Sequence, residues 1–319
     1  MLRSTYHELV ETMSAEVVSF LREESSVESP RLGLVLGGGA ALGAAHVGVL
    51  EVFEQAGISC TVVAGTSAGA LIGAGYAAGL SSEVLTAAVL SANWADFAQF
   101  NLRRRWGLLD TSPLELSIEK HISVGRLEDL DRRFGALAWD LRTSEPVLLT
   151  EGPLSSALRA SSAVPGLFPP VRIGRRLLVD GALADNVPVW AARALGADLV
   201  VAVSLNGDTD SVVQTTGRLL ETLRAPRGEH AAAMRDERAP EVLIHPATSG
   251  VSRWSPKGVQ ELIAAGRRAG EAALPAVAAA IAAADIPPEP NRAVRPIRSP
   301  TIADAMAPGV IAKPAAGTE

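Results

Sequence analysis

The chain has 319 residues, 48% of them hydrophobic, and a formal net charge of −6. That is enough apolar material for one large or two modest cores, with acidic and basic residues interspersed and no basic field of the kind nucleic acid requires. The single cysteine, Cys60, excludes an intrachain disulfide, and no zinc spacing, P-loop or complete calcium loop points to a metal or cofactor.

Residues 4–22 pattern as an amphipathic helix. Thr5 and Glu8 have capping-box spacing, and Leu9, Met13, Val17, Phe20 and Leu21 fall on one stripe. Glu8, Glu11 and Glu16 on the polar side favour docking on the domain over contact with an anionic membrane surface. The start is neither basic nor followed by an unbroken apolar core, so no signal peptide is expected and the cytoplasm is the default compartment. Beyond a polar linker, Glu23 to Pro30, a strand is predicted over Leu32–Leu36, then a glycine loop and a helix over about Gly43–Gln55. A strand over Thr61–Ala64 leads to helices over Ala68–Ala78 and Ser82–Leu90. The stretch Asn93–Leu130 breaks the rhythm and reads as an insertion over the sheet. Strands follow at Pro146–Thr150, Leu177–Val179, Leu199–Ser204 and Val242–His245, with helices near Val187–Ala194 and over Val259–Ala273. Near-continuous apolar strands alternating with helices predict a three-layer α/β sandwich with a largely parallel central sheet. No window of about 18 uninterrupted apolar residues occurs, so nothing is expected to span a bilayer. The last 33 residues, Pro287 to Glu319, hold seven of the 20 prolines without periodicity and are expected to be disordered. The predicted organisation is an N-terminal helix and linker over 1–30, one folded domain over 31–283, and a Pro/Ala-rich tail over 284–319.

The segment Val63-Ala64-Gly65-Thr66-Ser67-Ala68-Gly69-Ala70 is an apolar strand running into a glycine-flanked serine and then small residues. This is the layout of a nucleophile elbow, in which a tight strand-to-helix turn projects the serine Oγ and the helix N-terminus favours developing negative charge. Gly65 and Gly69 suit a turn too crowded for a Cβ; a structural Gly/Ser turn is the competing reading. Upstream, Leu36-Gly37-Gly38-Gly39-Ala40-Ala41-Leu42-Gly43 joins the first strand to a helix. Its successive N–H groups can turn to one side and meet the charge that forms when a serine attacks a carbonyl. The rival use is a dinucleotide site, but the third glycine falls one residue late for G-x-G-x-x-G and no acidic residue ends the next strand. His46, a turn into the helix, is expected to be a hydrogen-bonded core histidine.

An elbow serine needs a proton acceptor. Of the five histidines, His230 and His245 have the chain position of a hydrolase-triad base, but His230 lies in a charged stretch and His245 has no obvious acid partner. The stronger candidate is Asp180, at the end of an apolar strand and followed by Gly181 and Ala182, where active sites of such sheets form. An ordinary Asp-Gly turn is the plain alternative. A free aspartate, with a pKa near about 3.9, accepts a hydroxyl proton poorly, so the role requires a desolvated setting. Asp185 reads as a turn or cap ahead of Pro188.

Together these segments resemble the patatin-like phospholipase family, whose pattern is a glycine-rich oxyanion loop, a G-x-S-x-G elbow and an Asp-Gly-Gly/Ala motif. Five blocks occur in the family order over about residues 31–205: Gly37–Gly43, Gly43–Leu50, Gly65–Gly69, Ala160–Val171 and Asp180–Ala182. The resemblance implies a lipid acyl hydrolase, phospholipase A- or lysophospholipase-like, that needs no metal or cofactor and takes a lipid ester as its partner. Ser67 would be the nucleophile and Asp180 its base, in a Ser–Asp dyad. Gly37, Gly38, Gly39 and Ala40 would form the oxyanion hole, Gly65 and Gly69 the elbow, and Gly43, Gly181 and Ala182 the supporting motif positions. Leu42 departs from the pattern, since family members usually carry Arg or Lys there; Ala40 replaces a common glycine. Backbone donors do not depend on those side chains, so the departure bears on loop ordering and on preference for an anionic phospholipid. A broader esterase or acyltransferase, or a lipid-binding module with a degenerate site, are the alternatives. Trp94, Phe97, Phe100 and Trp106 around Arg103-Arg104-Arg105 suit either a transient membrane-surface contact or a helix packed on the core.

Overall fold

The computed structural model describes residues 30–92, 99–100, 109–110, 112–205, 239–252 and 258–284. In chain order the strands are β1 (Leu32–Leu36), β2 (Val62–Thr66), β3 (Gln99–Phe100), β4 (Leu109–Asp110), β5 (Arg133–Asp140), β6 (Glu145–Leu149), β7 (Val171–Ile173), β8 (Arg176–Asp180), β9 (Leu199–Val203) and β10 (Val242–Ile244). The helices are α1 (Ala44–Gln55), α2 (Ala68–Ala77), α3 (Ser82–Ser91), α4 (Ser112–His121), α5 (Leu154–Ser161), α6 (Val189–Ala194) and α7 (Val259–Ala283). β3 and β4 form a separate antiparallel ribbon.

The central sheet has the order β10-β9-β1-β2-β5-β8-β7, with β6 paired to β5. From β10 to β5 every pairing is parallel; β6, β7 and β8 add an antiparallel half. Interior strands covered on both faces must be apolar throughout, and β1, β2 and β9 are buried at all five positions. Leu34, Val63, Phe134 and Val201 share one face through the register. That face is covered by α1, α7 and α3 over β1 and β9, and by α2, α4 and α5 over β5. Val35, Val62, Ala64, Val200 and Ala202 point the other way, onto α6. The result is the three-layer α/β sandwich that the strand–helix alternation predicts. Helices α1 and α7 meet at backbone distance: a Cβ on Gly48 of α1 would strike the Ile263 carbonyl of α7, and one on Gly266 the Ala45 carbonyl.

β5 decides where the site forms. Its Leu137 pairs with Thr66 of β2 and with Leu148 of β6, while its Ala138 pairs with Asp180 of β8 and with Val147 of β6. β6 therefore occupies one edge, and β2 and β8 share the other, meeting C-terminus to C-terminus at consecutive β5 positions. The two chain ends that run into Ser67 and Gly181 are thrown together by this register.

The sequence pattern predicts no strand between Leu130 and Pro146, none at Val171–Ile173 and no helix at Leu154–Ser161; the structure has all three. α7 also runs to Ala283, beyond the expected Ala273. The helix expected over 4–22, the aromatic and basic patch around Arg103–Arg105, His230 and the tail from 285 onward lie outside the described residues.

Candidate active site

β2 ends at Thr66 and α2 starts at Ala68, so the whole turn is made at Ser67. Its backbone sits at φ 54°, ψ −122°, a conformation L-residues rarely adopt and one held only where surrounding contacts enforce it. The enforcing contacts are visible. The Ser67 N–H donates to Ser161 Oγ at 3.0 Å, and the Thr66 hydroxyl donates to the Asp185 carbonyl at 3.1 Å. At Gly69 a Cβ would run into the Leu36 carbonyl, so α2 can lie against the end of β1 only with glycine there. As the residue preceding α2, Ser67 makes no side-chain capping bond, which leaves its hydroxyl available.

That hydroxyl faces the carboxylate of Asp180, which it stabilises along with the Ala182 N–H. The amide donates to Asp180 Oδ1 at 2.9 Å. Asp180 is only 4% exposed, and burial outweighs both hydrogen bonds, pushing its pKa up from 3.8 to about 6. A carboxylate near neutrality is a better match to a hydroxyl proton than a free aspartate. Gly181 is required here because a Cβ would strike the Leu137 carbonyl of β5.

The glycine loop passes beside the serine: a Cβ on Gly38 would lie 3.3 Å from Ser67 Cβ and 2.7 Å from Asn186 Oδ1. Its four candidate amides are not equivalent. Gly37 N–H donates to the Val203 carbonyl at 3.0 Å and Gly38 N–H to the Asn186 carbonyl at 3.1 Å, so these two hold the loop in place. Gly39 and Ala40 are half-buried, and among the described residues no acceptor takes their N–H groups. Ala40 adopts φ 52°, the left-handed region, which explains why glycine is common at such a position. Asn186 Nδ2 donates to the Gly38 carbonyl at 3.3 Å, so this residue clamps the Gly38 peptide from both sides.

His46 is fully buried, and desolvation lowers its pKa to about 4 against the raising effect of its bond to Gly37. The imidazole is neutral at pH 7. Since a carbonyl oxygen can only accept, Nε2–H donates to Gly37 O at 2.7 Å and fixes the loop from beneath, as a core histidine should. His245 is exposed at the end of β10, three strands from β2 and so about 14 Å away at the usual strand spacing. Asp185 Oδ1 accepts the Val187 N–H at 3.0 Å, a turn contact. Leu42, where a cation was the family expectation, is 3% exposed and belongs to the core under α1 and α7.

Ser67 opens into a cavity of about 250 Å³ between the glycine loop and α2, α3, α4 and α5, walled by side chains such as Leu71, Leu85, Ile118 and Leu158. Its lining is almost wholly apolar. Three residues of this framework were not singled out by the sequence: Asn186, Ser161 and Ser162. Both serines lie inside the Ala160–Val171 block and Asn186 follows Asp185, but nothing local distinguishes them from turn residues.

Comparison with known proteins decides the lineage. The family profile described as Patatin-like phospholipase matches residues 34–193, half of the chain, from within β1 to within α6. The chain belongs to the patatin-like phospholipase family. It is 37% identical over 190 residues to an uncharacterised NTE family protein of Mycobacterium tuberculosis, covering 56% of this chain and 50% of that protein. It is 33% identical over 191 residues to lysophospholipase nte1 of Aspergillus fumigatus, covering 58% of this chain but 12% of that protein. The chain thus spans half or less of the length of these curated relatives. Among solved structures, VipD from Legionella pneumophila aligns over 78% of this chain and 67% of its own, at 14% identity and a TM-score of 0.45. The patatin-like elbow, loop and Asp-Gly-Ala motif all fall within the matched span. Among the described residues no helix is long and apolar enough to cross a membrane.

Proposed function

We propose that this patatin-like protein is a serine acyl hydrolase of lipid esters, working through a Ser67–Asp180 dyad and an acyl-enzyme. The observation that carries the reading is a buried carboxylate, raised to about 6, facing a hydroxyl on a strained elbow. Asp180 takes the Ser67 proton as Oγ bonds to the ester carbonyl carbon. The carbonyl oxygen becomes an oxyanion, met by the Gly39 and Ala40 N–H groups and by the N-terminus of α2. The C–O bond to the alcohol then breaks, and Asp180 returns its proton to the departing oxygen. Water gives a proton to Asp180 and adds to the acyl carbon; Oγ leaves, recovers the proton, and a fatty acid is released.

The apolar cavity beside Ser67 supports a fatty acyl chain as the group accepted, each buried methylene contributing about 0.8 kcal/mol. The exposed Leu90 and Leu116 on α3 and α4, two helices that wall this cavity, support transient contact with a lipid surface. The name of the fungal relative makes a lysophospholipid the first substrate to try. The test is covalent labelling by a fluorophosphonate followed by peptide mapping, together with a lipid panel. We expect wild type to be tagged at Ser67 and to release fatty acid, and Ser67→Ala to do neither. An unlabelled wild-type protein would mean a lipid-binding module, and acyl transfer to an added alcohol in preference to water would mean a transferase.

A further inference from the structure

The cavity beside Ser67 is laid out along one helix. From α2 it takes Ala68, Leu71, Ile72 and Gly75, and just past the helix Leu80. Positions spaced three and four apart share one helix face, so the cavity follows α2 away from Ser67. From Ala68 to Gly75 the helix rises about 10 Å. Gly75 marks the far end. A Cβ there would lie 2.7 Å from Leu85 Cδ2 and 3.4 Å from Leu80 Cδ1, so both leucines rest against bare backbone. Leu85 is 5% exposed and belongs to the cluster beneath α1, while Leu80 packs against both core clusters of that sheet face. This end is backed by the core. Among the described lining residues there is no Asp, Glu, Lys or Arg, so a charged head group buried here would lack a partner.

Resting on the hydrolase reading above, we infer that Leu80 and Leu85 set the acyl length, as the end wall of a pocket for one medium chain of roughly eight to ten carbons. Two measures agree on that length. An extended chain advances about 1.2 Å per bond, a third of the span of one extended residue, so the path from Ala68 to Gly75 takes about eight bonds. The volume of about 250 Å³ holds about eight methylenes if each fills about the 30 Å³ of a water molecule. Neither measure leaves room for a second chain. Each methylene inside the pocket contributes up to about fourfold, the equivalent of about 0.8 kcal/mol. Methylenes beyond the wall find no apolar surface to cover them and add nothing. The substrate class is therefore esters of medium-chain fatty acids, with the alcohol and any charged head group left outside the pocket.

The test is kcat/KM over p-nitrophenyl esters from butanoate to hexadecanoate, each below its micellar concentration, for wild type, Leu85→Ala and Leu80→Ala. Wild type is expected to climb to roughly eight to ten carbons and then stop, with a tetradecanoate-to-decanoate ratio near one. Each variant removes about three carbons of wall, so that ratio should rise at least about tenfold and at most about 60-fold. Leu85→Ala also empties part of the core and lowers stability; Leu80, half-buried, carries less of that risk. A ratio between two esters does not depend on how much of a variant is folded. A wild-type profile that ignores chain length, or that keeps climbing beyond about twelve carbons, would overturn the inference. So would variants whose ratio stays at the wild-type value while every ester slows equally, since the leucines would then be structural alone. If wild type is neither labelled at Ser67 nor active on any ester, the hydrolase reading itself has failed, and this inference with it.

Discussion

Asp180→Asn separates what the buried carboxylate does for chemistry from what it does to the fold. In the folded chain its pKa stands at about 6 against 3.8 unperturbed, chiefly through burial. Below about pH 3.8 the group is protonated in both folded and unfolded chains, and its preference for the proton in the fold contributes stability in full. Between about 3.8 and 6 the folded chain binds more protons than the unfolded one, so stability falls as pH rises; above about 6 that contribution is gone. A rise of about two units at about 1.4 kcal/mol each makes the whole effect about 3 kcal/mol. Asparagine cannot titrate, and its Oδ1 can still accept the Ala182 N–H that now bonds Asp180. The variant should therefore gain about 3 kcal/mol on wild type between about pH 4 and about pH 8, while its turnover drops at least about 10²-fold. His46, lowered to about 4, titrates with the opposite sign in an overlapping window, losing stability as pH falls. It is common to both proteins and cancels in the difference. Urea unfolding of the pair across that pH range is the assay. A stability difference that stays flat with pH, or that grows towards acid, would refute the account of Asp180 as a buried carboxylate held against its solvation.

Two further outcomes follow from the same geometry. Because the base must be unprotonated, kcat/KM for a soluble ester should fall as pH drops through about 6 with the slope of one proton, following the raised Asp180 carboxyl; a limb centred near 4 would place the base elsewhere. Restoring the family's cation with Leu42→Arg should not improve the enzyme. Leu42 is 3% exposed within the apolar cluster, so the charge would lack a partner and cost at least about 3 kcal/mol. Unchanged urea stability would show that the guanidinium escapes to solvent.

Much of the framework was legible from local pattern. β1 and β2 read as strands because an interior parallel strand must be apolar at every position, and the Gly65–Gly69 elbow because only small residues let α2 close on Leu36. β5 was not legible, although Phe134 to Trp139 is as apolar as β1. It follows the Asn93–Leu130 insertion without a helix of the regular rhythm to announce it. Its importance lies in pairing with β2 and β8 along one edge, which no local pattern encodes. The same holds for the loop. Gly37, Gly38, Gly39 and Ala40 look alike as donors in sequence, yet Val203 and Asn186, nearly 150 or more positions away, occupy the first two.

The chain by itself determined which element types form and which reactive side chains stand at their ends, since hydrophobic period and glycine placement act over a few residues. Tertiary structure alone decided that the carboxyl at 180 sits dry and holds its proton to about 6. It also decided which amides of the glycine loop remain unspent. Each of these depends on desolvation and pairing, and those are set by neighbours that only the folded sheet brings near.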